Sequence, residues 1–160
     1  MWNITLICVG KLKEKFYLGA VQEYQKRLQG RCKFNLVELP EERLPEPPSP
    51  AQIQTALEKE GQRILAHVPK NAALVAMCIE GTLMSSEKLA QQLTTWSVRG
   101  KSALCFVIGG SYGLSPQVKQ NADLRLSMSP MTFPHHLARV MVLEQLYRAF
   151  QINEGTRYHK

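Results

Sequence analysis

Two stretches of this 160-residue chain hold residue types suited to gripping a small ligand. In the first, an apolar run ending in Val107-Ile108 empties into Gly109-Gly110-Ser111-Tyr112-Gly113 and then Leu114-Ser115-Pro116. Glycines at such a turn let the backbone approach a ligand closely, and they equally serve a tight strand-to-helix turn that binds nothing. The spacing G-G-x-x-G departs from the dinucleotide fingerprint G-x-G-x-x-G, and no P-loop lysine follows, which disfavours conventional NAD and ATP sites. The second stretch, Ser127 to Arg139, sets Ser127, Ser129 and Thr132 among Pro130 and Pro134, just ahead of a helical pattern. The two prolines stiffen a loop whose hydroxyls and backbone groups lie beside a helix N-terminus, a suitable setting for a small polar ligand. An ordinary cap sequence has the same composition.

The other reactive side chains are scattered. His135 and His136 are neighbours, so on a helix they point about 100° apart. With no third ligand nearby they are read as cap or packing residues, and no metal is expected. The end of the chain, Tyr158-His159-Lys160, combines an aromatic face, an imidazole and an ammonium. It reads either as a frayed terminus or as a reactive tail. Cys8, Cys32, Cys78 and Cys105 form no C-x-x-C pair. They are expected to behave as small hydrophobes in a reducing cytosol. With 20 Lys and Arg against 13 Asp and Glu, the net charge is +7 and the pI near 9.4. That suits a polyanionic partner such as nucleic acid, without saying where it would bind. No apolar stretch approaches the roughly 20 residues a bilayer crossing needs, and the N-terminus lacks a signal-peptide layout. A soluble, cytoplasmic protein is expected.

The elements that must position these residues follow from periodicity. Five apolar runs have strand length: Asn3 to Val9, Phe34 to Leu39, Ala73 to Ile79, Ala103 to Ile108 and a weaker Asp123 to Ser127. Several are nearly continuous in apolar residues, the pattern of strands covered on both faces in a parallel sheet. Helical patterns alternate with them. One is predicted over Lys13 to Leu28, and another is opened by Ser49-Pro50-Ala51-Gln52, a capping box with proline in the first turn. A third starts at Ser85 or Ser86, and a shorter one follows Ser115-Pro116. The last, His135 to Ile152, is apolar on more than one face. That requires deep burial in its own core or a second subunit. Pro40 to Pro50, with five prolines, is expected to be an exposed loop. Strands alternating with helices predict an open α/β sheet, and residues 1–160 read as one domain.

Over nearly its whole length the sequence resembles the ribosomal RNA large-subunit methyltransferase H family, a compact SPOUT group that methylates N3 of a pseudouridine. The resemblance is carried by Val9-Gly10, Ile79-Glu80-Gly81, Ile108-Gly109-Gly110 with Gly113-Leu114-Ser115, and Ser127-x-Ser129-x-x-Thr132-x-Pro134-His135 with Arg139. It continues through Glu144-Gln145-Leu146-Tyr147-Arg148-Ala149 and Tyr158-His159-Lys160. It implies a SPOUT-type open, mainly parallel sheet flanked by helices, with a C-terminal trefoil knot, a rare exception to unknotted topology. It also implies S-adenosylmethionine as cofactor, held at Met77, Cys78, Gly109, Gly110 and along Ser129, Pro130, Met131, Thr132, Phe133 and Pro134. Arg139, Tyr158, His159 and Lys160 are the implied catalytic groups, in a homodimer where one subunit's tail completes the other's site. The implied substrate is 23S ribosomal RNA, within the assembled ribosome. The alternative reading is a non-catalytic RNA-binding or ribosome-assembly module, whose RNA binding would be steeply salt-dependent.

Overall fold

The computed structural model describes residues 1–160, in which strands and helices alternate. In chain order these are β1 Trp2–Val9, α1 Lys15–Leu28, β2 Cys32–Leu39, α2 Pro50–His67 and β3 Ala73–Leu83. They continue with α3 Ser86–Val98, β4 Ala103–Ile108, α4 Pro116–Asn121, β5 Leu124–Ser127 and α5 His135–Glu154. All five strands run parallel in one sheet of order β2-β1-β4-β3-β5.

The apolar runs explain why. Successive side chains of a strand face opposite sides. Ile4, Leu6 and Cys8 join Val75, Leu104 and Phe106 in one core, while Ile7 and Val9 join Leu74, Ala76, Cys105 and Val107 in another. Helices α1, α3 and α5 cover the first face through residues such as Leu28, Leu93 and Leu146; α2 and α4 cover the second through Ile64 and Val118. Each buried Leu, Ile or Phe contributes roughly 1.5–3 kcal/mol by leaving water. A charge at any central position would forfeit that and add a desolvation cost.

The predicted caps form. Ser49 Oγ accepts from the Gln52 amide at 3.2 Å, and Gln52 Oε1 accepts from the Ser49 amide at 2.8 Å. Ser85 and Ser115 cap α3 and α4 through the amides of Lys88 and Val118. Pro50 sits in the first turn of α2, and Pro40 to Ser49 has no regular structure. Strand β3 runs four residues beyond its expected end at Ile79. Gly81 permits this: a Cβ there would lie 2.8 Å from backbone atoms of Arg125, so only glycine lets β5 come alongside. The broad apolar surface of α5 is largely covered by its own chain, with α1 on one flank and α3 on the other. That surface therefore does not by itself call for a second subunit.

Candidate active site

Because every strand is parallel, all five carboxyl ends lie along one edge of the sheet. The chain leaves β1 toward β2 on one side and β4 toward β5 on the other. Such a reversal between neighbouring strands opens a crevice where α/β sheets bind ligands. A second opening lies next to it. Strand β3 pairs with β4 only from Ala73 to Ala76, and then shifts register against β5 between Met77 and Thr82. Beyond Ala76 the ladder between β3 and β4 ends, so Met77 and Cys78 have no strand partner on the side of Ile108 and the glycine turn.

That turn is built to be narrow. A Cβ on Gly109 would fall 2.3 Å from the Gly113 carbonyl oxygen, and Gly113 itself holds a φ of +81°. The Gly113 amide closes the turn on the Gly110 carbonyl at 3.1 Å. The loop from Met128 to Pro134 forms a second boundary. It must travel from β5 to His135, whose Cε1 is 3.5 Å from a Cβ built on Gly10 at the end of β1. With strands about 4.8 Å apart, the route passes over the ends of β3 and β4. Ser127 Oγ donates to the Ser129 carbonyl at 3.0 Å, and Ser129 Oγ accepts from the Met131 amide at 3.0 Å. The hydroxyls thus set the loop's shape, and Met131 is left exposed, as are Ile79 and Tyr112 on the other framing segments.

Arg139 is enclosed. Its side chain is 1% exposed, and its Nη1 donates to Glu38 Oε2 at 2.6 Å. Its Nη2 donates to the Gly10 carbonyl at 3.3 Å, and its Nε has no partner. Glu38 also accepts from the Leu12 amide at 3.1 Å. Burial works to raise the Glu38 pKa, but Arg139 and the Leu12 amide outweigh it and hold the carboxyl below its usual value. His135 is pushed down by burial and by its neighbour His136. Burial raises the thiols of Cys8 and Cys105 to about 12 and that of Cys78 by less, which keeps them as neutral packing groups. No cluster of three His, Cys, Asp or Glu side chains is arranged to hold a metal ion.

The carboxyl-terminal triplet lies along α5 and the start of α3. Tyr158 donates to Glu144 Oε2 at 2.6 Å, and that bond, with burial, pushes its phenol up to about 12. Arg148 stacks 4.7 Å over the Tyr158 ring. His159 sits between Arg148, 3.1 Å from Nδ1, and Glu87, 2.6 Å from Nε2. Since arginine can only donate, Nδ1 accepts and Nε2 carries the proton toward Glu87. Lys160 is exposed. None of the three hydrogen-bonds to the glycine turn or the proline loop of its own chain.

Sequence reasoning missed four acidic partners: Glu38, Glu41, Glu87 and Glu144. Glu38 left a readable signal, a carboxylate one residue from the end of an apolar run, which has to find a cation. Glu41 left none. It lies in the proline-rich loop, yet its Oε1 accepts from the Ser111 amide at 3.2 Å and would be 2.7 Å from a Cβ on Gly110.

The parallel sheet and the reversal between β1 and β4 define an open α/β protein of the kind that binds ligands at its carboxyl edge. The family described as predicted SPOUT methyltransferase matches residues 2–159. The chain is 50% identical to a ribosomal RNA large subunit methyltransferase H from Clostridium novyi, over 99% of each chain. It is 51% identical to the protein of that name from Clostridium acetobutylicum, again over 99% of each. In fold it is similar to a probable methylase family protein from Haemophilus influenzae, with a TM-score of 0.54 at 15% identity. That likeness covers 99% of this chain and 71% of the other. The chain belongs to the SPOUT methyltransferase family, within the group of large-subunit ribosomal RNA methyltransferases H.

Proposed function

We propose that residues 1–160 form one catalytic domain that transfers a methyl group from S-adenosylmethionine to N3 of a pseudouridine in large-subunit ribosomal RNA. The observation that carries this reading is the end of the β3–β4 ladder at Ala76, and the reading places a slot there, between Met77-Cys78 and the glycine turn. Its fit to the cofactor rests on three features. Backbone of Met77, Cys78, Gly109 and Gly110 is freed from the β3–β4 ladder, which suits hydrogen bonding to a purine edge. Gly109 leaves no room for a side chain. The exposed Ile79 and Met131 offer apolar surface to a ring, and the segment Ser129 to Pro134 closes the far side. The knot that the family resemblance implies belongs to the same reading, since the chain after β5 returns past β3 and β4 to reach α5.

S-adenosylmethionine, when bound, supplies an already activated methyl group, so the chain's own tasks are orientation and the handling of one proton. The acceptor N3 must lose its imide proton. His159 is the proposed base, taking the proton on Nδ1 once that atom turns from Arg148 to the substrate; Lys160 stabilises the anion, and Tyr158 stacks on the nucleobase. These residues leave their own slot untouched, which favours a homodimer in which they serve the partner's slot. Arg139, enclosed with Glu38, acts as a positioning residue for Gly10 and the start of α5.

Calorimetry with S-adenosylmethionine, followed by incubation of labelled cofactor with free rRNA, subunits and whole ribosomes, tests the reading. The expected result is micromolar cofactor binding and a labelled N3-methylpseudouridine in digests of one of these substrates. Absence of cofactor binding, or a product methylated elsewhere, overturns it.

A further inference from the structure

Beside the slot lies a cleft of about 590 Å³ at the carboxyl ends of β1 and β2, with Gly10, Lys11, Lys13, Glu38, Glu41 and His135 among its walls. We propose that this cleft holds a backbone phosphate of the acceptor RNA strand, gripped by Lys11 and Lys13. The inference rests on the proposed methyl transfer to RNA and adds the place where the strand is held.

Leu12 fixes the two lysines. Its side chain is 4% exposed and its amide is bound to Glu38, which Arg139 holds from behind. With the middle residue tied inward, Lys11 and Lys13 are both left exposed at the cleft, and neither forms an ion pair within the chain. Of the carboxylates nearby, Glu38 is paired with Arg139 and the Leu12 amide, Glu41 turns Oε1 to the Ser111 amide, and Glu14 faces His136 at 3.6 Å without a hydrogen bond; none is bonded to Lys11 or Lys13. The free donors of the cleft are therefore ammonium groups, compact point charges suited to phosphate. Its volume is that of a small-ligand site, enough for one nucleotide.

Position completes the case. Strand β1 is the direct neighbour of β4, and Glu41 belongs to both the cleft wall and the contact with the glycine turn. A nucleotide whose base reaches the slot therefore has its flanking phosphate within reach of Lys11 and Lys13.

The test compares wild type, K11A/K13A and, as a control at the opposite sheet edge, K33A. Single-turnover methylation gives the apparent affinity for the RNA substrate across a salt series, filter binding reads RNA affinity without cofactor, and calorimetry reads S-adenosylmethionine. The double variant is expected to weaken RNA affinity five- to tenfold in both RNA assays. Its log–log salt dependence should fall by about 0.7, the loss of one single-strand phosphate contact. Cofactor affinity and the rate at saturating RNA should stay as in wild type. Unchanged RNA affinity and slope in K11A/K13A, or an equal loss in K33A, overturns the proposal. Failure of wild type to bind the cofactor would instead sink the methyl-transfer reading, while filter binding still decides the cleft.

Discussion

Replacing Glu38 with alanine strands a guanidinium inside the protein, whereas replacing Arg139 with methionine removes that guanidinium altogether. The two changes break the same 2.6 Å contact, yet their costs should differ widely. Arg139 has a side-chain exposure of 1% against 32% for Glu38. In Glu38→Ala the buried cation keeps only the Gly10 carbonyl, and an unpaired buried charge costs about 3–5 kcal/mol. In Arg139→Met the remaining carboxylate still accepts from Leu12 and can turn to water, while the methionine fills most of the vacated volume. The loss there is the bond to Gly10 and some packing, about 1–2 kcal/mol. The Nε of Arg139 already lacks a partner, which lowers the native worth of the pair and the penalty for deleting the cation. A difference of about 2 kcal/mol, at a urea slope of about 2 kcal/mol/M, separates the unfolding midpoints by about 1 M. Urea titration followed by circular dichroism and by the fluorescence of Trp2 and Trp96 measures it. An Arg139→Met midpoint at or below that of Glu38→Ala would refute the reasoning, because it would mean that the cation contributes more than its burial costs.

Gly109→Ala places a Cβ 2.3 Å from the Gly113 carbonyl, whereas Gly110→Ala meets side-chain atoms, Glu41 Oε1 at 2.7 Å and Val9 Cγ1 at 3.3 Å, that yield more readily than backbone. Calorimetry should find S-adenosylmethionine affinity down at least tenfold in the first and less in the second; equal affinities would count against the slot. Deleting Tyr158 to Lys160 should abolish methyl transfer with cofactor binding retained, and a truncated enzyme that still labels its substrate would rule out a tail role. The raised Tyr158 phenol stabilises the fold fully below its unfolded pKa near 10 and loses that contribution as pH climbs toward about 12. A phenolate titration at 295 nm should show Tyr158 and Tyr24, both raised by burial and Glu144, ionising late in wild type, and one late tyrosine fewer in Tyr158→Phe. Acid works in the opposite sense on Glu38, whose lowered pKa gives stability above its unfolded value that disappears as pH falls through the folded one. Glu38→Gln should flatten that acid slope in urea midpoints measured between pH 3 and 6.

The strands are legible because burial on both faces leaves little freedom of composition: hydrophobicity alone bounds Ala103 to Ile108 where the strand begins and ends. Ser49, Ser85 and Ser115 were legible for a different reason, since a cap is local chemistry between a hydroxyl and an amide three residues on. What failed to register was anything joining distant parts of the chain. Strand β3 outran its apolar segment because Gly81 admits the backbone of β5, a fact that depends on pairing between residues more than 40 positions apart. The apolar faces of α5, judged along one helix, fit either burial in its own core or a second subunit, and only the packing of α1 and α3 against them shows how much its own chain covers.

The same distinction runs through the site. Its glycine turn and proline loop announce themselves because each must satisfy a local backbone demand, a tight bend or a stiffened crossing. The charges that hold those segments in register are set by geometry across the sheet edge. Glu41 reaches Ser111 across 70 positions and Arg139 reaches Glu38 across 101, so no window of sequence contains either pair. The division predicts how substitutions should sort. Changes in the turn or the proline loop should act on ligand affinity, because those segments are the proposed walls of the slot. Changes at Glu38, Glu41 or Arg139 act first on stability and only then on binding, because these side chains hold the walls in place without lining them alone. A Glu41→Gln variant separates the two cases: it keeps an acceptor for the Ser111 amide but removes the charge. Cofactor affinity close to wild type is expected if Glu41 only steadies the turn, and a loss as large as that of Gly109→Ala would place its carboxylate among the groups that bind.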